Sequence, residues 1–345
     1  MEEQRKKTEF LDQILQPGFL VKDDQVLQVN QAAGAMLIAP GQKFVPMLCT
    51  GAEEYAALQE GRLCLTLIIA GQVLQADIIR TEEYDLVLIN PDAYLQEFRS
   101  MALISMEFRG PLMQAINAAR QLETENPAAA KMNQSLMQML RMVSNMADIS
   151  RYSTSSRMEL RDVDALLLEL FEKAGTLTEG KAKLSFEGLK QPVFSLIDPE
   201  QLERAVWNIL SNCVKFLPTH GTIHARLTRQ GRFLRLTIED SGSGIAEAVL
   251  ANPFRQYRRE PGIEDNRHGL GLGLAIVRTA AVNHGGTVLI SSKEGGTKIT
   301  MTLAIRQDDS NLLRSLLQRP DYTGGFDHGL VELADCLPSD YYQEL

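Results

Sequence analysis

The stretch NILSNCVKF, residues 208–216, carries the spacing on which the interpretation of the chain rests. It lies in a helical pattern, so Asn208, Asn212 and Lys215, near i, i+4 and i+7, share one helix face. Carboxamide oxygens can ligate a hard cation such as Mg²⁺, and a lysine ammonium can meet phosphate oxygens. The pattern is weak by itself, because any polar helix face can carry these letters.

Two glycine-bearing segments follow. In EDSGSGI, residues 239–245, a predicted strand ends at Asp240, and Gly242 and Gly244 permit positive φ and close approach of a ligand. A carboxylate at a strand end can accept a hydrogen bond from an exocyclic amine, which suits adenine, although a simple turn accounts for the same letters. In HGLGLGLAIV, residues 268–277, alternating glycines lead into a helix whose N-terminus favours an anion. This is not a Walker loop, since G-x-x-x-x-G-K-[ST] is missing.

Taken in order, N-x-x-x-N-x-x-K, D-x-G-x-G and G-x-G-x-G-L resemble the ATP-binding domain shared by gyrase, the heat-shock chaperones of that class, MutL-type repair proteins and histidine kinases. The resemblance implies ATP and Mg²⁺ as ligands, with Asp240 on the adenine amine, Asn212 on the metal, and residues 252–268 as a mobile lid. The cofactor-binding set that it implies is Asn208, Asn212, Lys215, Asp240, Gly242, Gly244, Phe254, His268, Gly269, Gly271, Gly273 and Leu274.

Position 208 separates the branches of this family. Its hydrolysing members carry a glutamate there that activates water, whereas the amide of Asn208 cannot take that proton, so efficient ATP hydrolysis is not expected. Histidine kinases carry asparagine, and SMEFRGPL, residues 105–112, is similar to their S-H-E-L-R-T-P-L phosphoacceptor motif. The similarity covers about residues 97–305, and Met106 stands where the phosphorylated histidine is expected.

The methionine closes the usual reaction at this position. A thioether has no basic nitrogen, so Met106 cannot accept a phosphoryl group as imidazole does. Glu107 is the candidate catalytic residue, since its counterpart in the family helps take the histidine's proton; preserved packing is the alternative. Ser105 is another possible acceptor, although it points about 100° away from position 106 on a helix. A histidine of a partner protein, phosphorylated in trans, is a further possible acceptor of the phosphoryl group.

The predicted fold is α+β and multidomain. Residues 1–93 alternate short apolar segments with turns in an order that resembles the PAS sensor fold, with an unrelated small α+β domain as the alternative. Residues 94–158 are predicted to form a helical hairpin. Residues 159–307 are predicted to form an α/β sandwich that binds ATP, with helices on one face of a mixed sheet. Residues 308–345 form an acidic tail that could dock on the chain, recruit a partner or be a disordered tag.

The helical hairpin carries an apolar seam. Apolar residues step by four, three, four and three positions along its second helix, as in an a/d pattern. Two antiparallel helices with one stripe cannot bury it well alone, so a homodimeric four-helix bundle is expected. The seam consists of Met132, Leu136, Met139, Val143 and Met146, facing Ile104, Phe108, Leu112 and Ile116.

Charge and composition exclude several classes of function. The net charge is −9, and residues 308–345 hold eight acidic residues against two arginines, so the remainder is nearly neutral and a nucleic-acid surface is not expected. No apolar run approaches the roughly 18 residues of a membrane span. Four scattered cysteines without a C-x-x-C pair fit a reducing cytosol, and we expect a cytoplasmic protein.

Together these features predict a sensor-histidine-kinase homologue of two-component signalling that binds ATP and Mg²⁺ and regulates a partner as a pseudokinase. An active kinase acting on a partner's histidine or on Ser105 is the second hypothesis. A scaffold that no longer binds nucleotide is the third, and the intact phosphate and adenine elements count against it. The expected partner is a response regulator or an intact histidine kinase.

Overall fold

The computed structural model describes residues 11, 13–14, 16–50, 52–59, 61–70, 72–81, 83–90, 94–119, 127–154, 157–245, 250, 254, 271–293, 295–306 and 321–343. The strands are β1 (Gly18–Lys22), β2 (Gln25–Val29), β3 (Leu48–Thr50), β4 (Gly61–Ile69), β5 (Gln72–Arg80), β6 (Asp85–Asn90), β7 (Glu159–Asp162), β8 (Ala182–Glu187), β9 (Phe194–Ile197), β10 (Gly221–Gln230), β11 (Phe233–Asp240), β12 (Val288–Lys293) and β13 (Gly296–Ala304). The helices are α1 (Gln31–Gly34), α2 (Ala52–Ala57), α3 (Tyr94–Ala119), α4 (Pro127–Thr154), α5 (Val163–Leu177), α6 (Pro199–Phe216), α7 (Gly273–Asn283) and α8 (His328–Glu332), with 3₁₀ turns at Val45–Met47 and Ser339–Tyr342.

The N-terminal strands form an antiparallel sheet in the order β2-β1-β6-β5-β4. Asp23 and Asp24, with φ of 51° and 63°, join β1 to β2 in a turn whose twist matches that of the strands. A second tight hairpin joins β4 to β5 with Ile69 opposite Gln72. The turn letters KDDQ at residues 22–25 and AGQ at residues 70–72, each between two apolar segments, predict these two hairpins, and the structure confirms both.

The two long helices α3 and α4 pack against each other. Helix α4 begins at Pro127. Proline suits this position because the N–H that it lacks would be left unbonded in the first turn of any helix. The predicted seam is only partly buried within one chain: Leu136 is 8% exposed, whereas Met132 and Met139 are 37% and 42% exposed. Among the described side chains of the hairpin, the large apolar ones that remain exposed are Ile104, Phe108, Met132 and Met139.

The second half of the chain builds the predicted mixed sheet in the order β12-β13-β11-β10-β8, with β8 parallel to β10 and the other pairs antiparallel. Apolar residues of α5, α6 and α7 share one core with these strands. The start of α6 is fixed by its sequence: Asp198 accepts a hydrogen bond from the Gln201 amide at 3.1 Å, and Pro199 occupies the first turn.

The two sheets are joined at their edges, which the sequence did not indicate. Strand β12 pairs with β4 through Val288 opposite Cys64, so a single sheet of 11 strands runs through both halves. Behind this junction the Arg278 guanidinium of α7 lies 2.9 Å from the Asp77 carboxylate of β5, and both side chains are nearly buried. Burial raises the pKa of the adjacent Cys64 thiol to about 12. The junction therefore ties α7 to the N-terminal sheet.

The C-terminal segment is folded and docked. Residues 321–343, which we call the C-terminal strap, pack through α8 and the last 3₁₀ turn against α4, α5 and α6. Val331, Leu333, Leu337 and Tyr342 are buried there. Of the three alternatives for the tail, docking on the chain is confirmed for these residues. Within the described residues, no helix is both long and apolar enough to cross a bilayer.

The junction of the sheets can be tested with Asp77→Ala. Leaving Arg278 without its buried carboxylate should lower the free energy of unfolding by about 3 kcal/mol. The matched control is Glu187→Ala, which removes a carboxylate from the exposed Glu187–Arg226 pair and should cost under about 1 kcal/mol. Urea denaturation followed by circular dichroism gives both values, and equal midpoints for the two variants would contradict a structural role for the Asp77–Arg278 pair.

Candidate functional site

Helix α6 presents the predicted polar face. Asn208 is 1% exposed, and its Nδ2 donates to the Arg204 carbonyl at 2.9 Å while its Oδ1 lies 3.5 Å from an Arg141 nitrogen. The Lys215 side chain is 6% exposed, and Asn212 is half-buried on the same helix. Two of the three predicted side chains are thus held in a largely dry environment, where a charge interacts strongly with a ligand.

Lys215 has one close counter-ion among the contacts of the described residues. Its Nζ lies 3.5 Å from Oδ2 of Asp335 in the C-terminal strap. Burial lowers the pKa of Lys215, and the Asp335 carboxylate opposes that shift. A buried ammonium needs such a partner, because desolvation disfavours its charged form.

Asp240 is fixed at the end of β11. Its Oδ1 accepts hydrogen bonds from the Gly242 amide at 2.8 Å and from the Thr297 amide at 3.3 Å. A Cβ at Gly242 would lie 2.7 Å from that oxygen and 3.0 Å from the Phe216 carbonyl, so no side chain fits there. Gly244 has φ of +78°, as expected for a glycine turn. The turn after β11 therefore holds the carboxylate in one position.

The N-terminus of α7 lies against Asn208. A Cβ at Gly273 would come within 2.9 Å of Asn208 Oδ1, and Gly271 has φ of +70°. Leu272 occupies the N-cap position without a side-chain capping hydrogen bond, and Leu274 is half-buried in the first turn. Backbone N–H groups at a helix start that no side chain caps can bind an anion. The structure brings this helix start together with α6.

Several predicted residues fall outside this cluster. His268 and Gly269 lie outside the described residues, as does all of the expected lid except Phe254, which is buried with the Arg278 guanidinium 5.6 Å from its ring centre. Met106 lies on α3, but its side chain is also outside the description. On either side of it, Ser105 is 1% exposed and Glu107 is exposed.

Sequence reasoning missed a buried network of charges beside the site. Arg204 of α6 is wholly buried and pairs with Asp148 of α4 at 2.5 Å and with Glu332 of the strap. Arg141 of α4 lies 3.2 Å from Glu332 and 2.8 Å from Asp335. One available signal was the spacing of Glu332 and Asp335, since a separation of three residues predicts two carboxylates on one side of a helical turn. In the structure α8 ends at Glu332, and Asp335 lies in the turn that follows. Another signal was the arginine at position 141 beside the apolar seam.

Comparison with known proteins bears on this arrangement. Residues 197–307 match the family described as histidine kinase-, DNA gyrase B-, and HSP90-like ATPase. The sensor histidine kinase CusS of Escherichia coli K12 is 31% identical over 228 residues, which cover 61% of this chain and 46% of CusS. Over this stretch, which includes the ATPase-like domain, the chain is homologous to sensor histidine kinases.

Two further similarities extend this result. A bacteriophytochrome of Pseudomonas aeruginosa is 27% identical to this chain over 223 residues, which cover 61% of this chain and 30% of the bacteriophytochrome. Full-length ShkA, solved in complex with AMPPNP, superposes with a TM-score of 0.50 at 22% identity, covering 62% of the chain and 47% of ShkA, and this likeness shows the fold alone. This chain spans less than half the length of CusS, of the bacteriophytochrome and of ShkA.

Thiol labelling tests the geometry at the base of the site. Burial, followed by the charge of Asp240, raises the pKa of Cys213 well above its ordinary value. Because the thiolate is the reactive form, iodoacetamide at pH 9 should leave Cys213 unmodified in the folded chain and modify it after denaturation. Ser243→Cys, at an exposed position nearby, is the positive control. Labelling of Cys213 as fast as the introduced cysteine, detected by peptide mass spectrometry, would contradict this geometry.

Proposed function

We propose that this kinase homologue binds ATP with Mg²⁺ and uses the bound state to regulate a two-component partner through the α3–α4 hairpin, without phosphorylating itself at position 106. The observation that carries the proposal is the convergence of three elements: the Asn208–Lys215 face of α6, the Asp240 turn and the start of α7. The family match to residues 197–307 and the AMPPNP bound to ShkA support a nucleotide as the ligand.

Each element has a chemical part in this proposal. The carboxylate of Asp240, held by two backbone amides, would accept the adenine amine. The first turn of α7 and the ammonium of Lys215 would bind phosphate oxygens, since both offer donors in a poorly hydrated place. Asn208 offers an amide where hydrolysing relatives need a carboxylate base, so bound ATP would persist.

The residues present fit Mg²⁺ held together with the nucleotide. Among the described residues there is no cluster of three or more His, Cys, Asp and Glu side chains that could hold a metal alone. Mg²⁺ is usually bound by one or two protein oxygens plus phosphates and water. The half-buried carboxamide of Asn212 is the protein ligand that the site offers, and the metal would offset the charge of the phosphates.

The hairpin supports a regulatory output. Ile104 and Phe108 are 49% and 62% exposed, and with Met132 and Met139 they leave an apolar stripe that a second copy of the hairpin would cover in a homodimeric bundle. Burial of Ser105 counts against that residue as an acceptor. The strand order β2-β1-β6-β5-β4 supports a PAS-like input domain at the N-terminal end. A response regulator or an intact histidine kinase is the proposed partner.

Calorimetry tests nucleotide binding. The wild-type chain should bind ATP in the presence of Mg²⁺, and Asp240→Ala should lose at least tenfold in affinity, the equivalent of about 1.4 kcal/mol for a hydrogen bond to a charged group. Glu239→Ala is the matched control, because Glu239 is the exposed neighbour on the same strand and should bind as wild type does. Failure of the wild type to bind ATP would leave the scaffold hypothesis in place of this one.

A phosphotransfer assay separates regulation from catalysis in trans. We expect no label on the wild-type chain after incubation with γ-labelled ATP, since a thioether cannot accept the phosphoryl group. Adding a response regulator or an intact histidine kinase should give no more label than that partner acquires alone. Partner labelling that requires the chain and disappears in Asn212→Ala would show instead an active kinase that acts on another protein.

A further inference from the structure

The C-terminal strap is anchored by a carboxylate that water does not reach. Glu332 has no exposed surface and lies between Arg141 of the hairpin and Arg204 of α6, at 3.2 Å from the former. Arg204 also stacks over the ring of Tyr322, at 4.8 Å from its centre. A buried carboxylate is stable only with such paired charges, so the strap is held to both elements at once.

Amide side chains of α4 bind the backbone of the strap. Gln134 Nε2 donates to the carbonyls of Ala334 at 2.9 Å and Leu337 at 2.7 Å. Asn133 donates to the Tyr342 carbonyl at 3.0 Å. These bonds satisfy carbonyl groups that would otherwise be buried without a partner. The strap therefore has a specific docked position on the hairpin.

In that docked position the strap forms an ion pair with Lys215, the side chain that the proposed function assigns to the nucleotide phosphates. Asp335 lies 3.5 Å from the ammonium of Lys215 and 2.8 Å from Arg141, which itself reaches Asn208 at 3.5 Å. A carboxylate and a phosphate are both anions with oxygen acceptors, and each pairs with an ammonium in the same way. Lys215 is largely buried, so it cannot swing far to serve two anions at separate places.

We propose that the C-terminal strap is an internal competitor of the nucleotide, in which Asp335 holds Lys215 in the way that a phosphate group would. This inference rests on the proposed function, because it assigns Lys215 to the nucleotide phosphates. Binding of ATP and docking of the strap then weaken each other by the same factor, since coupling between two binding events is reciprocal. The strap also contacts the hairpin, so its release changes what the hairpin presents to a partner.

The substitution that isolates this competition is Asp335→Asn. It removes the charge that faces Lys215, whereas Glu332 keeps its two arginines and holds the strap in place. Removing the whole strap is a poorer test, because Val331, Leu333 and Tyr342 bury apolar surface that would become exposed. Asp340→Asn makes the same change of charge at an exposed position of the strap and is the matched control.

Affinity for ATP with Mg²⁺ measures the competition. Asp335→Asn should bind ATP at least about fivefold more tightly than wild type, the lower end of typical coupling between sites, and Asp340→Asn should equal wild type. Equal affinities in all three proteins would overturn the competition and leave the proposed function standing. If none of the three proteins bound ATP, the proposed function and the competition would both be overturned.

Labelling of Cys336 reports on the strap directly. This thiol is buried, and its Sγ lies 3.5 Å from the Ser211 hydroxyl of α6. It should react slowly with iodoacetamide in the nucleotide-free chain and at least severalfold faster with saturating ATP and Mg²⁺, while Cys213 stays protected. Rapid reaction of Cys336 without nucleotide would show that the strap is not docked, and an unchanged rate with bound ATP would show that the two do not compete; either result overturns the proposal.

Discussion

The wholly buried ion pair between Arg204 and Glu332 determines how three parts of the chain fit together. Moving these charges out of water costs several kcal/mol each, so they persist only because each has its partner and further bonds. Arg204 also forms an ion pair with Asp148 of α4, and Glu332 forms a second ion pair with Arg141. Helix α6, the hairpin and the C-terminal strap are consequently held as one unit, and the polar face of α6 takes its surroundings from that unit.

A second constraint acts on α6 at Asn208, one turn after Arg204. The start of α7 approaches Asn208 so closely that a Cβ at position 273 would lie 2.9 Å from its Oδ1, and the Asp240 carboxylate is fixed by backbone amides at the end of β11. Helix α7 is in turn tied to the N-terminal sheet through Arg278 and Asp77. The candidate site is therefore linked to the N-terminal sheet through α7 and to the hairpin through Arg141.

The sequence predicts those parts of this arrangement that depend on neighbours along the chain. The helix face of Asn208, Asn212 and Lys215, the turn after Asp240 and the start of helix α7 all follow from local spacing and glycine positions, and the structure contains them. The edge pairing of β4 with β12 could not be predicted, because an edge strand carries no local mark of its partner. The counter-ions of Lys215 and Arg204 were missed for a similar reason, since Asp335 and Glu332 are more than 100 residues away in sequence and Asp148 is 56 residues from Arg204. Of the expected lid, residues 252–268, only Phe254 is among the residues that the structure describes, so the role of this segment as a lid stays a prediction.

The most direct test of whether nucleotide state is transmitted to the hairpin is hydrogen–deuterium exchange of the full chain with and without ATP and Mg²⁺. We expect nucleotide to slow exchange at the start of α7 and to speed exchange in the strap and in the part of α4 around Gln134 and Arg141. Changes confined to α6, α7 and the strands beside them, with α4 and the strap unaffected, would contradict a hairpin that responds to the bound nucleotide.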